Sequence, residues 1–274
     1  MTRILHLSDP HFGAANPHAA EAFLVQAAEL EPDLTVLSGD LTMRARRSEM
    51  TAAREFVNRL PAPHVLIPGN HDIPAVNQPF DRFFRPFDRF GRYFGNDLEP
   101  AVIANDFHLV SLNSTRAFGL HADWSEGRLS RRQLQRMRDR IVAAPPRDYR
   151  LLVLHHPLLA PLHHRRSVVE PLSNLLHAIA ESSIDLVFCG HFHRSQLATA
   201  GIDGGWQCMV SQAPTVCSTR LQGEPQGFHV IHLDGACAAI THFVFDGSQF
   251  HEAGDTRFNR SCTGWHVETD ASAR

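Results

Sequence analysis

Five short clusters of side chains able to bind metal punctuate the first 193 residues. They are Asp9-Pro10-His11, Gly39-Asp40, Gly69-Asn70-His71-Asp72, His155-His156-Pro157 and Gly190-His191-Phe192-His193. Each follows an apolar run: Ile4 to Leu7, Leu34 to Leu37, Val65 to Ile67, Leu151 to Leu154 and Ile184 to Phe188. The donors are carboxylate or amide oxygen and imidazole nitrogen, with no thiolate, which favours Mn, Fe or Zn over a structural cysteine site. Asp9, His11, Asp40, Asn70, His155, His191 and His193 make seven candidate ligands. A tetrahedral zinc takes about four, so seven suit two ions if one carboxylate bridges them. A two-metal site suits hydrolysis of a phosphate ester.

The elements that must position these residues alternate. Strand-like Ile4–Ser8, a helical stretch from Pro17 to Leu30, strand-like Leu34–Ser38, helical Ser48–Leu60 and strand-like Val65–Ile67 form β-α-β-α-β, the pattern of a parallel sheet with helices on its faces. Ligands of such sheets sit beyond the carboxyl ends of the strands, so the clusters should meet on one rim. Further strands are expected at Ala101–Ala104, His108–Asn113, Leu151–Leu154 and Ile184–Phe188. Helices are expected at Leu129–Val142, with Ser130 as cap, and at Val168–Ala180. After His193 come short strands, Gln207–Ser211, Gly227–Leu233 and Ala238–Phe245. Residues 1–247 read as one domain. Residues 248–274 are polar with weak periodicity and read as a loose C-terminal extension. In the segment 78–97, Phe80, Phe83, Phe84, Phe87, Phe90 and Phe94 fall on a helix-like face interrupted by Pro86 and Gly91. That face fits either a packing helix or an aromatic cap or dimer face beside the site.

Composition narrows the classes. The chain has 274 residues, 43% hydrophobic and 20% charged, with a net charge of −3. That supports a full core and argues against nucleic acid as an obligatory partner. All 26 basic residues are arginine, which removes lysine nucleophiles, Schiff bases and P-loop lysines. Five cysteines without CxxC spacing fit a reducing compartment rather than a disulfide framework. No signal-peptide pattern and no membrane-length apolar run is present, so the expected location is the cytoplasm. Most of the 19 histidines read as surface or core residues, and His6, inside the first strand, reads as core.

The ordered blocks D-x-H, G-D, G-N-H-D, H-H-P and G-H-x-H resemble the calcineurin-like metallophosphoesterase superfamily. The resemblance implies a four-layer α/β/β/α sandwich of two mixed sheets flanked by helices, with a dinuclear metal site at the strand carboxyl ends. It further implies that Asp9, His11, His193 and Asp40 hold one ion, and that Asn70, His155 and His191 hold the other with Asp40 bridging. His-x-Pro in that family assigns His155 rather than His156. His71 would face the substrate, stabilising a phosphoryl oxygen or giving a proton to the leaving group. Asp72 would either orient His71 or cap its turn. A hydroxide held between two divalent or mixed-valence ions would attack phosphorus in line, with Asp40 setting their spacing. Substrate contacts are expected from Asn70, His71, Arg44, Asn113, His163 and Arg165, the last two within the basic run His163-His164-Arg165-Arg166.

Departures from the pattern select a branch. Gly-Asp-Leu-Thr-Met-Arg and Gly-Asn-His-Asp differ from the longer G-D-x-V-D-R-G and G-N-H-E of the phosphoserine/threonine phosphatases. Met43 stands where purple acid phosphatases place a tyrosine ligand. The blocks are most similar to bacterial class III cyclic nucleotide phosphodiesterases and glycerophosphodiesterases. The expected activity is hydrolysis of a small phosphodiester such as 3′,5′-cyclic AMP, without an obligatory nucleic acid, without a membrane span and with a homodimer as an option. The alternatives are a glycerophosphodiesterase or UDP-diacylglucosamine-type pyrophosphatase, a metal-dependent nuclease, and a non-catalytic scaffold on the same fold.

Overall fold

The computed structural model describes residues 1–75, 77–117, 126–160 and 168–268. In chain order the elements are β1 (Thr2–Leu7), α1 (Pro17–Leu30), β2 (Leu34–Leu37), α2 (Arg47–Val57), β3 (His64–Leu66), α3 (Pro79–Phe84), α4 (Asp88–Phe94), β4 (Ala101–Ile103) and β5 (Phe107–Ser111). There follow α5 (Arg131–Ala143), β6 (Tyr149–Val153), α6 (Leu172–Glu181), β7 (Leu186–Cys189), β8 (Gln196–Gly201), β9 (Gln207–Gln212), β10 (Gly227–Asp234), β11 (Cys237–Phe245), β12 (Phe250–Ser261) and β13 (Gly264–Val267).

Strand alternation decides the layers. Along β1, Leu5 and Leu7 turn outward to meet Phe23 of α1 and Phe56 of α2. Ile4 turns inward against Leu151, Phe188 and Met209 of the facing sheet. A third apolar layer packs Leu134 and Met137 of α5 and Leu175 and Ile179 of α6 on Val110, Leu152 and Val187. The result is helices, sheet, sheet, helices. β1, β2 and β3 run parallel in one sheet, and β10 joins β1 antiparallel. β5, β6, β7 and β9 run parallel in the other. Ser130 caps α5 as expected, its hydroxyl accepting from the Gln133 amide.

The four layers are as expected, and the two sheets join at one edge: the ladder continues from β11 through β12 and β13 to β9, so one hydrogen-bonded path folds over on itself. One expectation needs correction. The supposed loose extension makes that junction. β12 pairs with β11 along most of its length, and Trp265 of β13 is fully buried between the sheets with its indole N–H donated to Asp185 Oδ1 at 2.8 Å. The polarity of 248–268 reflects a strand whose middle residues, Glu252 to Asp255, face solvent, with a register shift at His242/Phe243 in its partner. Only the apolar residues Phe250, Phe258 and Trp265 mark its inner side.

The phenylalanine-rich segment is two short helices broken around Pro86, not one face. Phe90 is buried and Phe94 packs on the outer core, while Phe80 and Phe84 are 60% and 74% exposed. Two arginines fasten the segment to the cluster loops: Arg82 donates to the Pro74 carbonyl at 2.7 Å and Arg89 to the Ala45 carbonyl at 2.5 Å. Among the described residues no helix is long and apolar enough to cross a membrane.

Candidate metal centre

The parallel strands β1, β2, β3, β6 and β7 deliver their carboxyl ends to one rim, and the loops that follow are tied together by main-chain bonds. Asp9 N–H donates to the Gly39 carbonyl, His11 N–H to the Asp40 carbonyl and Gly190 N–H to the His155 carbonyl, each at 3.0 Å. The backbone turns sharply here. Of the eight non-glycine residues with positive φ among the described residues, five are candidate ligands: Asp9, His11, Asp40, His191 and His193. Such conformations cost on the order of 1–3 kcal/mol each and persist where the surroundings enforce them. Close approach also demands glycine at two positions. A Cβ on Gly69 would collide with the Asp40 backbone and carboxylate, and one on Gly190 with Ser8 Oγ and the Asp9 carboxylate.

The donor atoms converge. Asp9, His11 and His193 form one buried group with ligand atoms within 4.8 Å of one another; Asp9, Asp40 and His155 form a second, and His155, His156 and His191 a third. Asp40 Oδ2 lies between the two sides, 3.7 Å from His11 Nε2 and 3.3 Å from His155 Nε2. Asn70 Oδ1 is 3.2 Å from His155 Nε2. His191 gives its backbone N–H to Asp9 Oδ2 at 2.9 Å, and its ring lies 5.2 Å from that of His155.

Second contacts orient the rings. Nδ1 of His11 faces the Thr42 carbonyl at 3.3 Å, that of His155 the Ser38 carbonyl at 2.8 Å and that of His193 the Arg220 carbonyl at 2.7 Å. A carbonyl only accepts, so each Nδ1 carries a proton and each Nε2 points its remaining site inward, the usual arrangement of metal-binding histidines. His11 Nε2 and His193 Nε2 then stand 2.9 Å apart, and the buried Asp9 Oδ1 makes no hydrogen bond of normal geometry. Those facing lone pairs and that orphaned oxygen fit a cation between them.

Electrostatics agrees. Burial would raise the Asp9 carboxyl, but the His193 and His155 imidazoles hold it well below the usual range. Burial acts the same way on Asp40, and His155, His71 and His11 outweigh it. Conversely, burial would lower His155, but Asp40 and Asp9 raise it to about 9. His193 is raised likewise by Asp9 against its burial. Burial dominates at His11, which falls to about 3. The cluster therefore favours positive charge at its middle, supplied by protons when no ion is bound.

The remaining expected residues divide. His71 stands at the mouth, half-buried, its ring edge-on to His11 at 4.8 Å. Its backbone N–H donates to Asp40 Oδ1 and its Nδ1 to the Met43 carbonyl, both at 2.7 Å. Asp72 braces loops rather than the His71 ring: it accepts from the Leu41, Thr42 and Gly69 amides and from the Thr42 hydroxyl. Burial, then the neighbouring Asp40, push Asp72 up to about 7. His156 lies beside His191 but hydrogen-bonds Ser114 Oγ through Nδ1 at 2.7 Å. Arg44 is exposed, with its backbone N–H held by Glu49. Asn113 Oδ1 accepts from the Thr115 amide, within its own loop. His163 and Arg165 lie outside the described residues.

Two features carry no sequence signal. Arg220, in the loop after β9, has its guanidinium 3.4 Å from His71 Nε2. A buried chain links Ser38 Oγ, His6, Ser211 Oγ, His229 and Ser195 Oγ between the sheets, with bonds of 2.8–3.0 Å. Burial keeps His6 and His229 neutral, His6 at about 3, so His6 is a hydrogen-bonded core residue attached to the same Ser38 whose carbonyl orients His155.

Residues 2–195 match the family described as Calcineurin-like phosphoesterase. The chain belongs to that family. It is 28% identical to the 3′,5′-cyclic adenosine monophosphate phosphodiesterase CpdA of Escherichia coli, over 93% of this chain and 91% of the relative. It is 28% identical to the glycerophosphodiester phosphodiesterase GpdQ of Enterobacter lignolyticus, over 69% of this chain and 70% of the relative. Among solved structures, a purple acid phosphatase from yellow lupin (Lupinus luteus) seeds superposes with a TM-score of 0.66 at 13% identity, covering 92% of this chain and 52% of that one, a likeness of fold alone. Family and donor clusters together support a dinuclear divalent metal site.

Proposed function

We propose that this phosphoesterase hydrolyses small phosphodiesters at a two-ion centre, with 3′,5′-cyclic AMP as its foremost substrate. The observation that carries the reading is the position of Asp40 Oδ2, which faces donors from both sides, 3.7 Å from His11 and 3.3 Å from His155. Asp9, His11 and His193 would hold one ion and Asn70, His155 and His191 the other, with Asp40 placed to serve both. Oxygen and imidazole donors suit Mn, Fe or Zn. When bound there, two such ions would supply Lewis acidity, polarising phosphoryl oxygens and lowering the pKa of a water toward ~7. The chain's own residues do the rest. Asp40 fixes the spacing, and the carbonyls of Thr42, Ser38 and Arg220 fix the imidazoles. His71, its ring held by the Met43 carbonyl, faces the substrate and serves the leaving-group oxygen.

Cyclic AMP is favoured because the cyclic nucleotide phosphodiesterase relative aligns over nearly the whole chain; the glycerophosphodiesterase relative makes a glycerophosphodiester the second candidate. A panel of cyclic AMP, a glycerophosphodiester, a UDP-linked lipid, an oligonucleotide and a phosphomonoester, each with defined metals, decides between them by kcat/KM. Cyclic AMP is expected to lead. A lead by the oligonucleotide or the lipid would overturn the substrate assignment, and the absence of any metal-dependent turnover would overturn the activity.

A further inference from the structure

The positive end of the site is not accounted for by the ligand clusters. Arg220 places its guanidinium against the mouth of the centre: Nη1 is 3.4 Å from His71 Nε2 and 3.5 Å from Met43 Sδ. Since His71 Nδ1–H is given to the Met43 carbonyl, Nε2 accepts from Arg220. Among the described residues no carboxylate forms an ion pair with this arginine, unlike Arg59, Arg89, Arg136, Arg138 and Arg260.

The loop that carries it is built to hold it there. Its backbone carbonyl takes the Nδ1–H of His193 at 2.7 Å, and its N–H donates to Ser218 Oγ at 3.1 Å. Ser218 is held by Thr215 Oγ1, which in turn donates to the Asp9 carbonyl at 2.6 Å, and the Thr219 amide and hydroxyl both reach the Ala14 carbonyl at 2.8 Å. The arginine is thus registered to the loops of Asp9 and His193 through its main chain, while its side chain stays half-buried and, among the described residues, in no ion pair with an acid. A guanidinium beside a site for two dications adds repulsion unless an anion comes between them.

We propose that Arg220 is an oxyanion clamp of this centre, donating from its guanidinium to a non-bridging oxygen of the bound phosphodiester beside His71. The inference rests on the phosphodiesterase reading for its substrate, but the chemistry recognised is that of any tetrahedral phosphate anion. One charge-assisted hydrogen bond is worth roughly 10- to 100-fold in affinity.

The test is calorimetric binding of inorganic phosphate to the manganese-loaded protein, with metal content measured on the same samples. Wild type is compared with Arg220→Ala and Arg220→Lys. The expected result is a phosphate Kd raised about 10-fold or more in Arg220→Ala, the scale of that one bond, with two ions retained. Arg220→Lys should fall between, because the charge remains and the planar fork is lost. An unchanged Kd in Arg220→Ala, no phosphate binding by loaded wild type, or loss of metal with the side chain would each overturn the clamp. Kinetics on bis(p-nitrophenyl) phosphate separate the two claims: a wild type that binds phosphate through Arg220 but cleaves no diester leaves the clamp standing and removes the proposed function.

Discussion

The two corners of the centre differ in charge and in how they are closed. The corner of Asp9, His11 and His193 is buried and holds its own carboxylate, with a second, Asp40, 3.7 Å from His11 Nε2. The corner of Asn70, His155 and His191 contributes an amide and two imidazoles and no carboxylate of its own, with Asp40 Oδ2 3.3 Å from His155 Nε2, and Asn70 is only half-buried. Ion affinity at oxygen sites rises with the number of charged ligands and with rigidity. The first corner should therefore keep its ion when the second exchanges, and the reaction should depend on filling the second.

Breaking what the corners share has the largest expected effect. Asp40→Ala should lose both ions by metal analysis and reduce kcat by at least roughly 10³-fold, beyond the loss of a single preorganised charge-stabilising group. Retention of two ions would remove Asp40 from the bridge. Next comes Asn70→Ala, which should keep close to one ion and lose most turnover of bis(p-nitrophenyl) phosphate. If it kept two ions and full rate, the corners would not be assigned correctly.

The pH dependence of loading bears on both corners. Burial lowers His155, but Asp40 and Asp9 raise it to about 9. Below that value the metal-free centre carries a proton on His155 that an ion must displace. Affinity in the second corner should therefore rise with pH, by up to about tenfold per unit, and level off near 9. His11 falls to about 3 and adds no such slope, whereas His193, raised by Asp9 against its burial, gives the first corner a proton to displace as well. Titration of metal-free protein at several pH values measures both, and a flat response of the second corner would place the proton elsewhere.

The smallest effect on either corner should come from the far junction of the sheets. Trp265→Ala removes a fully buried indole and its bond to Asp185, which should cost about 3–5 kcal/mol of stability while metal stoichiometry stays at two. Denaturant unfolding with metal analysis checks it; loss of metal without loss of stability would couple the junction to the centre in a way the packing does not provide.

The ligand loops were legible in the sequence because their chemistry is local. A strand end, a glycine for close approach and a donor sit within four residues, as in Gly69-Asn70-His71-Asp72 and Gly190-His191-Phe192-His193. Both β-α-β windings were legible for the same reason, through apolar periodicity. The substrate rim was not. Arg44 and Asn113 stand near the right blocks in sequence, yet Arg44 turns to solvent and Asn113 to Thr115. Arg220 is 149 residues from the His71 it touches and has no surrounding motif. The C-terminal strands escaped because β12 buries few of its residues and most of its middle faces water. A polar, exposed edge carries little alternation even when it closes a sheet.

Anomalous diffraction from crystals of the manganese-loaded protein tests the central claim most directly. Two peaks are predicted, one among Asp9, His11 and His193 and one among Asn70, His155 and His191, with the Asp40 carboxylate bound to both. A single peak, or a second peak bound by His156 in place of His155 with Asp40 outside its reach, would contradict the shared-carboxylate centre.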